Sequence, residues 1–138
     1  MTRPNEYRAY FTLVGEFSPE DISMRLSLEP TSSWKKGSQN PKTQLKRNHS
    51  RWNLDSRLSR SASLEDQVKD VIEQLKPHSA AISEIRSAVD GGIQLVGYFY
   101  TNYPGFGLDA ATLSDLAQLR LGIDCDFYYL YSDKREDS

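Results

Sequence analysis

The chain has 138 residues, 38% hydrophobic and 26% charged, with a formal net charge of −2. That length suits one domain with one core, and the balance excludes a disordered chain and gives no global attraction to nucleic acid or anionic membranes. No apolar run approaches the roughly 20 residues of a membrane span, MTRPNEYRAYF has no signal-peptide core, and a single cysteine, Cys125, cannot pair within the chain, so a single cytoplasmic domain over 1–138 is expected.

Tyr7 to Val14 reads as a strand, aromatic and β-branched, closed by Gly15. Alternation puts Tyr7, Ala9, Phe11 and Leu13 on the core face. Phe17 to Ile22 is a helix start: Ser18 caps, Pro19 takes the first helical position, and Phe17 with Ile22 has the spacing of a hydrophobic staple. Glu29-Pro30 is expected to end that helix.

The stretch from Leu28 to Ser56 holds both tryptophans and the densest basic cluster. Trp34-Lys35-Lys36-Gly37 reads as a turn, and Ser38 to His49 as a polar, exposed loop, with about 38–50 as its bounds. Eight of the seventeen Lys and Arg lie between Lys35 and Arg60, against one acid, Asp55. Ser50 to Asp55 alternates as a short strand with Trp52 and Leu54 inward.

Ser63 to Lys76 is the clearest helix, capped by Ser63 and striped with Leu64, Val68, Val71, Ile72 and Leu75. Pro77 ends it, and Ser79 to Val89 reads as a shorter helix. Asp90-Gly91-Gly92 is predicted as a turn, then Ile93 to Thr101 as a strand. Asp109 caps a last helix, Gly122 supplies its left-handed end, and Ile123 to Ser132 is the final strand, with Cys125 facing the core. About 133–138 should fray. The expected architecture is a two-layer α+β sandwich in the order β-α-β-α-α-β-α-β, its four-stranded, mainly antiparallel sheet covered by helices on one face.

On the face the helices leave open, the alternation collects Arg8, Tyr10, Thr12, Arg51, Asn53, Asp55, Gln94, Val96, Tyr98, Tyr100, Asp124, Asp126, Tyr128 and Leu130. Tyrosine buries a large area at low entropic cost and offers a hydroxyl, which suits a protein partner. The basic loop, with Lys35, Lys36, Lys42, Lys46, Arg47, Arg51, Arg57 and Arg60 near Trp34 and Trp52, has the composition to contact phosphates while an aromatic stacks on a base, although no RNP-like run occurs. Asp124 and Asp126 share a face and admit an acid/base or metal reading. The sequence holds no phosphate loop, no metal-spaced His/Cys cluster and no nucleophile elbow, so no catalytic residue, metal or cofactor is assigned.

Four groups of residues carry a resemblance over nearly the full length. They are the aromatic first strand with Phe17 to Ile22; Leu28-Glu29-Pro30-Thr31 with Trp34-Lys35-Lys36-Gly37; Trp52-Asn53-Leu54 with Ser56; and Leu108-Asp109, a helix, then Leu121 to Asp124. In these the chain resembles the bacterial family called domain of unknown function 4279. The resemblance implies a small α+β protein and assigns no activity. It marks Pro30, Thr31, Trp34, Lys36, Gly37, Trp52 and Leu54 as family-pattern positions with structural roles. Immunity proteins encoded beside toxins are the setting it brings into view.

The leading expectation is therefore a non-enzymatic binding protein, in particular an immunity protein that neutralises a toxin domain. Its partner-binding candidates are Tyr10, Tyr98, Tyr100, Tyr128, Asp124, Asp126, Lys46, Arg47 and Arg51. An RNA-binding domain using the basic loop, and a hydrolase using Asp124 and Asp126 at a strand edge, are the alternatives.

Overall fold

Ten residues of alternating apolar and polar character let β1, Glu6–Gly15, pair along both its edges. It runs antiparallel to β3, Ser50–Asp55, on one side and to β4, Asp90–Phe99, on the other. β2, Ser32–Trp34, adds antiparallel to β3, and β5, Gly122–Tyr129, adds parallel to β4. The sheet is five-stranded and mixed, in the order β2-β3-β1-β4-β5. The structure, a computed structural model, describes residues 3–131, so the tail expected to fray lies outside the described residues.

Two features correct the expected four-stranded, mainly antiparallel sheet. Ser32 to Trp34 is a strand and not part of a turn, held because Thr31 N donates to the Asn53 carbonyl at 2.7 Å and Asp55 N donates to Thr31 Oγ1 at 2.8 Å. Three residues are too few to display an alternation, so the sequence carries no signal for it. The final pair is parallel because α4, Ala110–Gln118, carries the chain back before β5 begins.

The other helices are α1, Pro19–Leu26, α2, Leu64–Leu75, and α3, Ser79–Arg86. Ser18, Ser63 and Asp109 each accept a backbone N–H three residues on, as their cap positions predict. The ends differ from expectation. α1 stops at Ser27, which takes the left-handed conformation (φ 54°) before Pro30 is reached. Pro77 does not stop the chain but sits in a 3-10 turn, Lys76–His78, that leads into α3. Arg120 (φ 61°), not Gly122, is the left-handed residue after α4.

The segment Asp90–Gly92, expected as a turn, is the start of β4 and faces Val14 to Thr12. Glycine is required there: a Cβ on Gly91 would lie 2.3 Å from the Thr12 carbonyl oxygen. The core lies between the helices and one sheet face. Ala9, Phe11, Leu13, Trp52, Leu54, Ile93 and Leu95 pack with Ile22, Leu26, the α2 stripe, Ile82, Ile85 and Leu116. Cys125, expected to face inward, is exposed because it belongs to the edge strand β5.

The crossing of α2 with the chain after β3 is pinned by Arg57, whose Nη2 and Nε reach Asp70 at 2.7 and 3.0 Å and whose backbone N reaches it at 2.7 Å. Partial burial works against the charged form of Asp70. Hydrogen bonds from the Arg57 side chain and backbone, with the attraction of that cation, outweigh it and hold the carboxyl below its ordinary 3.8. A depressed carboxyl contributes stability above its unfolded value and loses it as pH falls through the folded one. Denaturation midpoints measured from neutral pH down into the acid range should therefore fall less steeply in Arg57→Gln than in the parent, although the parent is the more stable at neutral pH.

Candidate functional site

The strand registers set the open face out in rows. Trp34 stands beside Arg51, Arg51 beside Val14, and Val14 beside Asp90. The next row runs Ser32, Asn53, Thr12, Gly92, Gly122, and the one after it Asp55, Tyr10, Gln94, Asp124. Arg8, Val96 and Asp126 follow, then Glu6, Tyr98 and Tyr128. A one-residue slip would turn these side chains into the core, so the pairing that buries Phe11 and Leu95 also fixes this face.

Direct contacts hold the face in one arrangement. Arg8 forms a two-pronged ion pair with Asp55 at 3.0 and 3.1 Å, and its guanidinium lies 4.2 Å from the Tyr10 ring centroid. Arg51 Nη1 donates to Thr12 Oγ1 at 3.0 Å, that hydroxyl donates to Asn53 Oδ1 at 2.6 Å, and Asn53 Nδ2 donates to Ser32 Oγ at 3.0 Å. This chain satisfies the buried polar groups of Thr12 and Asn53, which an apolar setting would otherwise penalise. At the far edge Tyr98 and Tyr128 stack with centroids 5.2 Å apart and planes 9° apart. Tyr128 Oη donates to Asp126 Oδ2 at 2.7 Å, and this bond to the carboxylate raises the Tyr128 hydroxyl above its ordinary value.

The middle of the face is concave. A hollow of about 490 Å³ is lined by Arg8, Tyr10, Ser32, Trp34, Arg51, Asn53, Gln94 and Asp126. Its charged groups are Arg51 of β3, Arg8 of β1 and Asp126 of β5. The stretch 38–50, expected as an irregular loop, is a hairpin: Gly37 N donates to the Arg47 carbonyl, Arg47 N to the Ser38 carbonyl and Asn40 N to the Leu45 carbonyl, each at 2.8 Å, and Gln39 bridges Lys46. Gly37 (φ 88°) makes the bend that starts it. The hairpin stands at the corner of the sheet, where the Arg47 guanidinium lies 4.0 Å from the Trp34 ring centroid.

A family profile described as Domain of unknown function (DUF4279) matches residues 5–130. The chain belongs to that family. No curated protein and no solved structure matches it.

Within this DUF4279 domain the pattern residues divide. Trp52 and Leu54 are core, Thr31 ties β2 to β3, and Lys36 offers its backbone N–H to Ser50 Oγ at 3.0 Å and its Nζ to Glu16 at 2.9 Å. Pro30, half-buried, precedes β2. Trp34 is different: it was grouped with the structural positions, and it lines the open face. Of the partner-binding candidates, Tyr10, Tyr98, Tyr128, Asp124, Asp126 and Arg51 share that face, and Lys46 and Arg47 sit on the hairpin beside it. Tyr100 lies past the end of β4 with Arg3 stacked 4.2 Å from its ring, so it does not join the others. Ser32 and the coupling of Arg8 to Asp55 were not legible as site features; a cation and an acid on the same face of two strands was the signal available. Cys125 has a thiol raised by local desolvation and then by the Asp124 charge, away from the thiolate a nucleophile needs. Among the described residues no helix is long and apolar enough to cross a membrane, and no group of His, Cys, Asp or Glu is placed to hold a metal.

Proposed function

We propose that this DUF4279 domain is a non-catalytic binding module that captures a protein partner on its open sheet face. The observation that carries the reading is the stacked Tyr98–Tyr128 pair beside the Arg8–Asp55 clamp on one face, with Asp126 between them in the register. Rigid aromatics flanked by oriented charges have the character of interface anchors, because little side-chain entropy remains to be lost on docking. Arg51 and Asp126, on strands to either side of the hollow, supply charges of both signs that set orientation.

Neutralisation of a toxin domain, in the cytoplasm, is the form of this reading to test first. Co-expression with a toxin encoded beside its gene should protect cells, and the two proteins should copurify in fixed stoichiometry. Tyr98→Ala together with Tyr128→Ala should weaken the complex by about 2 kcal/mol or more while far-UV circular dichroism stays unchanged. Loss of protection without loss of fold supports the face as the docking surface. Full protection by the double variant removes it.

A further inference from the structure

Arg47 raises a question that the protein-partner reading does not answer. Its guanidinium is laid on Trp34, its Nε is buried without a hydrogen-bond partner, and it takes part in none of the ion pairs among the described residues. It lines a cavity of about 330 Å³ between the hairpin and the β2–β3 end of the sheet, together with Arg51, Lys46 and His49. The described wall of that cavity includes no carboxylate; its other polar groups are Asn40, Thr43 and Asn48. Glu16, whose charge reaches toward His49, is already held by Lys36 at 2.9 Å.

Like charges gathered in one cavity repel, and the structure holds two of them in place by contacts that are not anionic. Arg47 is oriented by the indole ring, and Arg51 is fixed through Nη1 to Thr12 Oγ1 at 3.0 Å, with no other side-chain hydrogen bond from it among the described residues. Guanidiniums already oriented lose little freedom when they grip an oxyanion. Arg51 from the sheet and Lys46 and Arg47 from the hairpin bring three cations to one wall with no described carboxylate, which suits an acceptor that carries more than one negative charge.

We propose that this cavity binds a phosphate group. The inference does not rest on the protein-partner reading, since the cavity is formed by the hairpin and the Trp34–Arg51 end of the sheet, away from the Tyr98–Tyr128 pair. A phosphomonoester on a small molecule and a phosphodiester in single-stranded nucleic acid present the same chemistry, and the probes separate them.

The test is a titration of the ¹⁵N-labelled full chain at constant ionic strength, with chloride replaced by inorganic phosphate, by adenosine monophosphate, or by a single-stranded oligonucleotide lacking terminal phosphates. Saturable shifts confined to the amides of 34–51 are expected. Arg47→Gln and Arg51→Gln should each weaken the best probe by about tenfold or more, the loss of one charge-assisted contact. Arg47→Lys should recover part of it, and Lys35→Gln, outside the cavity wall, should leave it within about twofold. Tight binding of the mononucleotide identifies a small-molecule ligand, and tighter, steeply salt-dependent binding of the oligonucleotide identifies a phosphodiester. Shifts that rise linearly without saturation for every probe, or that persist unchanged in both Gln variants while their fold is intact, overturn the proposal.

Discussion

Trp52→Ala should cost about 3–5 kcal/mol, the range for deleting a large aromatic from a packed core. The indole is fully buried on β3, its ring meets Phe11 of β1 edge-on with centroids 5.9 Å apart, and its Nε1 donates to Ser23 Oγ of α1 at 3.0 Å. One side chain thus joins two strands and a helix. Alanine would remove all three contacts and leave a void where the neighbours are already close-packed. Guanidinium denaturation should show a lower midpoint with an unchanged slope, since the surface exposed on unfolding barely alters. Trp52→Phe separates the contributions: it keeps most of the ring and loses the Ser23 bond, and a cost as large as that of alanine would contradict the packing argument. In a domain of ordinary stability, about 5–15 kcal/mol, the alanine variant stands close to unfolding at physiological temperature.

The second large effect comes from a polar residue inside the apolar stripe. Gln67 is 2% exposed on α2. Its Oε1 accepts from Ala9 N at 2.9 Å, and its Nε2 donates to the Tyr7 carbonyl at 2.8 Å and to the Ala62 carbonyl at 3.1 Å. β3 faces β1 only from Tyr10 onward, so the first residues of β1 lack a strand on that side. The Gln67 amide takes that place, with Ser56 N on the Ala9 carbonyl and Tyr7 N on the Arg60 carbonyl. Gln67→Leu fills the space yet leaves a buried N–H and a buried carbonyl unpaired, a loss of about 2–4 kcal/mol. Amide exchange at Ala9 should accelerate far more than at Phe11. Gln67→Glu should be worse at neutral pH, with a carboxylate facing two carbonyls. It should recover in part on acidification, because protonation restores a donor and a carboxyl raised by burial favours the fold below its folded value. A variant as stable as the parent would show that water replaces the amide.

The residues that were legible in the sequence and those that were not differ in a physical way. The alternation of β1, β3 and β4 and the stripe of α2 are burial patterns, repeated over enough residues to declare their period, and they placed the core and, Tyr100 aside, the side chains these strands turn to the open face. Family membership was legible for a similar reason, since the Pro30–Thr31, Trp34 and Trp52–Leu54 spacing survives without any knowledge of the fold. β2 was not, because its existence depends on Asn53 and Asp55 accepting and donating across to Thr31, contacts that no local window contains. The Asp90–Gly92 segment misled for the opposite reason: two glycines read as a turn, while here the missing Cβ lets β4 lie against the Thr12 carbonyl. Gln67 is a polar residue on the buried side of α2. The sequence offers no cue that its amide stands in for a strand.

The central position of β1 carries a consequence for how the molecule comes into being. Residues 6–15 leave the ribosome about 80 residues before β4, Asp90–Phe99, which satisfies one of their two edges. Until that segment has been synthesised, the strand that carries Ala9, Phe11 and Leu13 has an open edge, the kind of surface on which nascent chains associate with one another. β3 and the Gln67 amide can close the other edge meanwhile. The native order of the sheet therefore leaves it incomplete until β4 and β5 have been made, and the interval between synthesis of β1 and of β4 is when a chaperone has most to protect.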